Sequence, residues 1–275
     1  MRSAGLLDPA ARFGLNDHAC WGYESHEEGA ALATSWLSDG LALGQRAFYV
    51  ADSPRAALLD DLAHLAGRDE AIARGALVVT EASDIYDLSV PIDATQQLAG
   101  YADMVEAAIS DGYAGLRVAA DITALVEDPS RRPAHVHWEQ YADRYMVEQP
   151  LAPLCLFDRR RIGDAFAENE HVHPLAGPHK RAFALYASGP RQSTFDGEVD
   201  SLTAQPLAAA LAALPDRDDS IVMSALRFTD SYGAWVLHRA MQRRRADGHP
   251  IVLLDAPPLL VRLWSLLGYD PTMLS

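Results

Sequence analysis

Lysine is almost missing from this sequence, and positive charge as a whole is scarce. Among its 275 residues, 38 are acidic and 23 are Lys or Arg, which gives a formal net charge of −15, and Lys180 is the single lysine. P-loop NTPases need a lysine in the pattern G-x-x-x-x-G-K-[ST], and the surrounding GPHKRAF does not supply that pattern. Because every phosphate contact needs a cation, the acidic balance also disfavours direct binding to nucleic acid or to an anionic membrane.

Cysteines and long apolar runs are also few. Cys20 and Cys155 are the two cysteines, and their separation along the chain gives no sign of a disulfide framework or a Cys-rich zinc motif. No apolar run approaches the ~20 residues of a membrane helix, and residues 1–14 lack the order of a signal peptide. We therefore expect a cytoplasmic protein without a membrane partner.

Sequence signatures of catalysis are absent as well. The chain has no G-x-S-x-G elbow, no H-E-x-x-H motif and no Gly-rich dinucleotide turn. A catalytic site needs a nucleophile, a base and an orienting group that converge, and no spacing here indicates such a set. We expect a protein that is not an enzyme, with a small-molecule-modifying enzyme as a less favoured alternative.

The apolar pattern from residue 25 to residue 188 predicts an α/β fold. Ser25 and Glu28 have the spacing of a capping box, which predicts the start of a helix that ends near Gly40 and Gly44. Short apolar runs follow at 47–51, 76–80, 115–121, 153–158 and 182–188. Continuous rather than alternating apolarity is typical of strands buried on both faces, so the pattern predicts a mostly parallel sheet covered by helices.

Three aspartates stand at or just after the ends of these predicted strands: Asp52, Asp121 and Asp158. In parallel α/β sheets, ligands bind outside the carboxyl ends of the strands. We therefore expect the three carboxylates at the rim of one crevice.

Residues 189–197, GPRQSTFDG, form a polar, turn-rich stretch that we interpret as a linker or a hairpin near a domain boundary. After it, the pattern predicts a helix, a strand, a second helix, a short strand and a last helix. This is a small α/β unit of roughly 80 residues, within the usual size of a domain.

The C-terminal part resembles the STAS domain, the anti-sigma-factor-antagonist fold. The resemblance rests on GEVD at 197–200, on FTDSYG at 228–233 before a helix, and on the final helix ending in LWSLLGYD. It implies a regulatory surface at Asp200, Asp230, Ser231 and Tyr232, where a partner kinase phosphorylates a serine or threonine just before the glycine. Here Tyr232 takes that place, and Asp230 or Ser231 is expected to cap the helix.

The N-terminal part resembles the MEDS domain, the methanogen/methylotroph sensory domain, over residues 12–178. Six motifs carry the resemblance in order: His18-x-Cys20-x-x-Tyr23, the helix of residues 25–40, GLRVAADITAL at 115–125, Trp138-Glu139 with Tyr141, LCLFDRRR at 154–161, and His173-Pro174-Leu175. The resemblance implies a RecA/KaiC-like, mostly parallel sheet that has lost its phosphate loop and senses small organic compounds. It places domains at 1–180 and 181–275.

Six residues are the predicted ligand site: His18, Cys20, Tyr23, Asp121, Trp138 and Asp158. Small-molecule sites combine apolar or aromatic walls with a few polar anchors, which these residues supply. The pair His18 and Cys20 also offers metal-ligand atoms that Cys155, His135, His137 or His173 would complete. That spacing matches no strong zinc pattern, so we predict no metal site, and the sequence requires no cofactor.

The resulting hypothesis is a non-enzymatic signalling regulator. Its first domain would sense a small organic ligand, or the redox state of Cys20, and the STAS-like domain would relay the change by protein–protein contact. The expected partner is an anti-sigma factor, a kinase-like protein or a second copy of the chain. The alternative is a nucleotide-binding, KaiC-like assembly module without hydrolysis, in which Asp121 would be the acid on the metal side.

Overall fold

The computed structural model describes residues 2–7 and 13–275, which form two β-sheets, while Met1 and residues 8–12 lie outside the description. The first sheet is parallel throughout its described strands, in the order β1-β7-β2-β6-β5-β3-β4. Its strands are β1 (Gly5–Leu6), β2 (Ala19–Tyr23), β3 (Arg46–Ala51), β4 (Leu77–Glu81), β5 (Leu116–Asp121), β6 (Leu151–Asp158) and β7 (Leu175–Gly177).

Eight helices accompany this sheet in the described residues. They are α1 (His26–Ala42), α2 (Arg55–Asp61), α3 (Arg68–Ala73), α4 (Ala94–Ser110), α5 (Thr123–Val126), α6 (Arg132–Met146), α7 (Arg159–Ile162) and α8 (Phe166–Glu170), with 3-10 turns at Ala82–Asp84 and Gly163–Ala165. One buried apolar core lies between the sheet and α1 to α3, and another lies on the opposite face under α4 and α6. The sheet is therefore covered on both faces, as its apolar strands predicted.

The second sheet has four strands and belongs to the C-terminal unit, which we define as residues 183–275. Its strands are β8 (Phe183–Gly189), β9 (Gln192–Val199), β10 (Ser220–Thr229) and β11 (Val252–Leu254), in the order β11-β10-β9-β8. Its helices are α9 (Ala204–Ala212), α10 (Ser231–Ala246) and α11 (Pro258–Leu266), with a 3-10 turn at Pro271–Met273. The sheet is mixed, because β8 pairs antiparallel with β9 while the other pairs are parallel.

Most predicted elements of the first sheet are confirmed. The runs at 47–51, 76–80, 115–121 and 153–158 become β3, β4, β5 and β6, each within two residues of the predicted bounds. The run at 182–188 becomes β8, which lies in the mixed second sheet. The stretch at 189–197 is a hairpin, since Gly189 pairs with Gln192 and the residues from Gln192 onward belong to β9.

The predicted end of the first helix, near Gly40 and Gly44, is confirmed. The helix ends at Ala42, so Gly40 lies inside it and Gly44, with φ +71°, lies beyond its end. Gly40 is buried inside the helix because the Arg117 side chain packs against it, where an added Cβ would stand 2.6 Å from Arg117 Cγ. This glycine reflects a close approach to β5 rather than a helix stop.

Helix α6 connects the two sheets. One side of the helix faces the first sheet, where Trp138, Ala142 and Met146 join its core. The other side contacts β8 and α9, and Val136 belongs to the apolar core of the C-terminal unit. A displacement of α6 would therefore change contacts in both the first sheet and the C-terminal unit.

In the described residues, no helix is both long enough and apolar enough to span a membrane.

Candidate functional site

The turn between β2 and α1 is where an ATPase of this architecture would bind phosphate. Here the turn consists of Glu24 and Ser25. Ser25 Oγ accepts a hydrogen bond from Glu28 N at 3.1 Å, which confirms the predicted cap. The Glu28 carboxylate in turn accepts from Glu24 N at 2.9 Å and from Trp21 Nε1 at 2.8 Å. The protein's own carboxylate thus occupies the amide of Glu24 and places a negative charge at the start of the helix, where it disfavours a second anion.

Removing this cap gives a first testable expectation. We expect Ser25→Ala to lower the free energy of unfolding by about 1 kcal/mol, because a helix-terminal amide loses its acceptor. Ser35→Ala is the matched control, since Ser35 is exposed on the same helix and alanine favours helix there. Urea unfolding of both variants decides the point, and equal stability would contradict the assigned cap.

A crevice of about 140 Å³ lies at the carboxyl edge of the first sheet. It brings together Tyr23, Asp121 and Asp158 from the predicted ligand set, and Asp52 also lines it. Tyr23 Oη donates to Asp121 Oδ2 at 2.5 Å. Burial first, and then the Asp121 charge, raise the pKa of Tyr23 far above its usual value, so the hydroxyl remains a donor.

The polar groups of this crevice are largely bound to one another. Arg160 donates through Nε and Nη2 to both carboxylate oxygens of Asp158, at 2.9 and 2.7 Å, and this bidentate contact lowers the pKa of Asp158. Across the crevice, Tyr49 Oη donates to Asp61 Oδ2 at 2.9 Å, and His26 Nε2 lies 2.7 Å from Asp61 Oδ1. Most of the charged groups of this crevice therefore already have partners within the protein.

A second group of chemically active side chains lies buried under α6. We call it the His–Glu–Cys cluster, and it consists of His18, Glu139, Cys155 and His173. Glu139 Oε2 is 3.2 Å from His18 Nε2, 3.4 Å from His173 Nε2 and 3.9 Å from Cys155 Sγ. Cys155 Sγ is also 3.8 Å from His18 Nε2. Four potential ligand atoms therefore surround one point.

Each histidine of the cluster is fixed by a hydrogen bond from its Nδ1 atom, on the side of the ring away from the cluster. His18 Nδ1 donates to Asp143 Oδ1 at 2.9 Å, and His173 Nδ1 donates to the Asn169 carbonyl oxygen at 2.8 Å. Burial and His173 act to lower the pKa of His18, but hydrogen bonds with Asp143, Cys155 and Glu139 outweigh them and raise it to about 9. Burial alone would raise the pKa of Glu139, yet His173 and His18 hold it well below its usual range.

Cys20 lies beside this cluster. It stands directly opposite Cys155 in the register between β2 and β6, and both residues are buried as thiols. Burial raises the pKa of the Cys20 thiol. The two cysteines are far apart in the sequence and adjacent in the sheet.

A small cavity of about 20 Å³ adjoins the cluster. Its apolar walls include Val118 and Ala120 on β5, Leu98 and Tyr101 on α4, Trp138 and Ala142 on α6, and Leu151 and Pro153 on β6. His18, Glu139 and Cys155 form its polar end. The cavity has room for one to two water-sized groups.

The structure therefore divides the six predicted ligand residues into two places. Tyr23, Asp121 and Asp158 lie at the carboxyl edge of the sheet. His18, Cys20 and Trp138 lie instead in the layer between the sheet and α6, at or beside the small cavity. The predicted ligand set omitted four residues of the buried site: Glu139, Asp143, Cys155 and His173. For Glu139 and Asp143 the available signal is the burial of acidic residues among the apolar core positions of α6. Cys155 and His173 enter the sequence analysis only as residues that would complete a metal-ligand set.

The four residues predicted for the regulatory surface lie together at the start of α10. Asp230 caps that helix, accepting from Gly233 N at 2.8 Å and from Ser201 N at 3.2 Å. Asp200 accepts from Leu202 N at 2.9 Å and forms a neighbouring turn. Ser231 and Tyr232 are exposed, so Asp230, and not Ser231, is the cap.

The fold and site define a class: a parallel α/β domain whose phosphate position is closed by a carboxylate and whose buried face carries a polar cluster and a cavity. The family model for MEDS, described as the methanogen/methylotroph, DcmR sensory domain, matches residues 17–174. The chain therefore belongs to the MEDS family.

Comparison with solved structures finds a match to the anti-sigma factor antagonist SpoIIAA in its unphosphorylated form. The identity is 20%, the match covers 34% of this chain and 86% of that chain, and the TM-score is 0.29. Comparison with curated proteins finds no match.

Proposed function

We propose that this protein is a non-enzymatic sensor whose MEDS domain binds a very small organic molecule in the cavity under α6. The C-terminal unit, which we interpret as STAS-like, relays occupancy of that cavity to a partner protein. The observation that carries the proposal is the position of α6, because the same helix forms a wall of the cavity and contacts the C-terminal unit.

The contacts of α6 with the C-terminal unit are specific. Gln140 Nε2 donates to the Leu185 carbonyl oxygen at 3.2 Å, and His137 Nδ1 donates to the Ala213 carbonyl oxygen at 2.9 Å. Asp143 accepts from the Ala187 amide at 2.6 Å while it also holds His18. A ligand that binds one position of α6 better than another would therefore shift these contacts too.

The cavity limits the chemistry of the ligand. Its walls are aliphatic and aromatic, and its volume suits a molecule of about one to two heavy atoms with one polar group directed at His18 and Glu139. The family description names methanogens and methylotrophs, and together with the small cavity this supports our proposal that a one-carbon or similarly small compound is the signal. The crevice at the carboxyl edge lacks such apolar walls, because carboxylates, arginines and tyrosines line it.

The face around the start of α10 fits a partner-binding role. Leu202 is 86% exposed, Tyr232 48% and Trp235 40%. Tyr232 stacks on Trp235 with ring centroids 5.2 Å apart, and Arg239 lies over Trp235 at 5.5 Å. Exposed Trp, Tyr and Arg side chains are typical of interface hot spots. We propose that an anti-sigma factor, a kinase-like protein or a second copy of the chain binds here.

A pair of substitutions on β5 tests the cavity. Ala120 lines the cavity, whereas its neighbour Ala119 is buried on the opposite face of the same strand. We expect Ala120→Val to remove bound small molecules and Ala119→Val to retain them, because only the former fills the cavity. Gas chromatography with mass spectrometry of vapour released from the heated, purified protein measures this directly.

Both variants are expected to fold, since overpacking of a core costs about 1–3 kcal/mol. Saturation-transfer NMR with methanol extends the comparison to an added probe. Equal release and equal probe signals from Ala120→Val and wild type would refute the cavity as the ligand site.

A further inference from the structure

The His–Glu–Cys cluster has the composition of a metal site. Its four side chains come from separate places in the fold: His18 before β2, Glu139 on α6, Cys155 on β6 and His173 before β7. One ligand atom from each lies within 4.8 Å of the other three. All four residues are buried, so the site is closed to bulk water.

The distances between the ligand atoms fit tetrahedral coordination. Bond lengths of about 2.0–2.3 Å place the nitrogen and oxygen ligands of a tetrahedral zinc ion about 3.3 Å apart and put sulfur about 3.6 Å from them. Glu139 Oε2 lies 3.2 and 3.4 Å from the Nε2 atoms of His18 and His173. Cys155 Sγ lies 3.8 Å from His18 Nε2 and 3.9 Å from Glu139 Oε2. The ligand atoms of the two remaining pairs, His173 with His18 and His173 with Cys155, lie within 4.8 Å of each other.

The surrounding hydrogen bonds orient both imidazoles toward that point. A metal-binding histidine usually donates its other ring nitrogen to a carboxylate or a backbone carbonyl. His18 Nδ1 donates to Asp143, and His173 Nδ1 donates to the Asn169 carbonyl oxygen. In each neutral ring the lone pair then resides on Nε2, which is the atom that faces the cluster.

The cluster also leaves buried polar atoms without satisfactory partners. Within the described residues, His173 Nε2 has no hydrogen-bond partner of acceptable geometry. Glu139 Oε1 has none either, although His135 Nε2 lies 3.2 Å from it. Such atoms are costly in a closed interior, because each loses its contact with water. A cation at the centre of the cluster would satisfy His173 Nε2 and neutralise the Glu139 carboxylate and the Cys155 thiolate.

We propose that His18, Glu139, Cys155 and His173 bind one divalent transition-metal ion, with Zn²⁺ as the fitting ion. Two imidazoles, one thiolate and one carboxylate suit zinc in type and number. On binding, the Cys155 thiol and the Nε2–H groups of the protonated His18 and His173 rings lose their protons to solvent as the bonds to the metal form. The ion adjoins the ligand cavity but does not depend on it, so the metal site goes beyond the proposed sensor function.

Cobalt substitution of the full chain tests this site. After removal of bound metal with a chelator, titration with Co²⁺ is expected to saturate at about one ion per chain and to produce a thiolate-to-cobalt charge-transfer band. Cys155→Ser should abolish that band, whereas Cys20→Ser, which changes the cysteine opposite in register, should retain it. Zn²⁺ should displace the Co²⁺ and bleach the band in wild type.

Two further variants keep the test decisive. Glu139→Gln should weaken Co²⁺ binding at least tenfold, which covers the case in which Cys155→Ser does not fold. Ala120→Val should keep the full band even if it loses the organic ligand, so the metal site and the sensor function fail separately. A folded wild type that binds neither Co²⁺ nor Zn²⁺, or a band that survives Cys155→Ser, would overturn the assignment.

Discussion

Replacing Asp218 with alanine is expected to lower the free energy of unfolding by about 3–5 kcal/mol. Asp218 Oδ2 pairs with Arg144 Nη2 and accepts from Ser193 Oγ at 3.0 Å. Arg144 also donates to the carbonyl oxygens of Gly189 and Gln192. Both charged side chains are buried, so removal of the aspartate leaves a guanidinium without its counter-ion in the interior.

The attraction within the pair is opposed by the hydration that both charges lose on burial. Burial lowers the pKa of Arg144 and raises the pKa of Asp218, against the attraction between the two charges. The large effect of a single substitution therefore comes from the charge left behind. The double variant Arg144→Met, Asp218→Leu should recover most of the stability, because apolar side chains of similar volume remove both charges.

The neighbouring aspartate provides the control. Asp219 forms an exposed ion pair with Arg191 at 2.8 Å, and both side chains are more than half exposed. Exposed pairs contribute about 0–1 kcal/mol, so Asp219→Ala should have little effect. Guanidinium unfolding of the three variants makes the comparison. An Asp218→Ala cost as small as that of Asp219→Ala would contradict the role given to the buried pair at the contact between α6 and the C-terminal unit.

The second large effect is expected for Asp143→Asn, with a loss of about 3–5 kcal/mol. This buried carboxylate accepts from Arg2 Nη2 at 2.5 Å, from His18 Nδ1 at 2.9 Å and from the Ala187 amide at 2.6 Å. Burial would raise the pKa of Asp143, but Arg2 and His18 hold it far below its usual value, so the group is an anion. Asparagine keeps the shape and removes the charge.

Comparison with an exposed aspartate shows whether the loss of stability comes from the buried charge of Asp143. Asp103→Asn on the exposed side of α4 is the control and should change the stability by less than about 0.5 kcal/mol. In a double-mutant cycle, Arg2→Met should reduce the cost of Asp143→Asn, because the two residues are in contact. Additive costs would show that Asp143 does not pair with Arg2 in solution.

The sequence was informative wherever structure depends on near neighbours. The capping residues Ser25 and Glu28 are close along the chain, and the buried strands β3 to β6 are continuous apolar runs, so periodicity alone identified them. The reason for a glycine at position 40 is the side chain of Arg117, which is distant in the sequence. A local rule cannot anticipate such a contact.

The candidate site depends more strongly on contacts between residues that are distant in the sequence. Strand-end logic placed Asp121 and Asp158 in one crevice, because the ends of parallel strands share an edge. The predicted ligand set also grouped His18 with these residues, and the structure places His18 before the start of β2, in the lining of the other cavity. Glu139 and His173 lie next to His18 only because of the order of the strands and the packing of α6 against the sheet. No spacing in the sequence reveals either.

The hydrogen-exchange rate of the Ala187 amide tests most directly whether the cavity communicates with the C-terminal unit. This amide donates to Asp143 across the contact between α6 and that unit. Hydrogen exchange by NMR should be compared in wild type, Ala120→Val and Ala119→Val. If the cavity acts through α6, Ala120→Val should change the exchange of Ala187 and its neighbours in β8, and Ala119→Val should not. Identical exchange of β8 in all three proteins would contradict the central claim that the cavity communicates with the C-terminal unit.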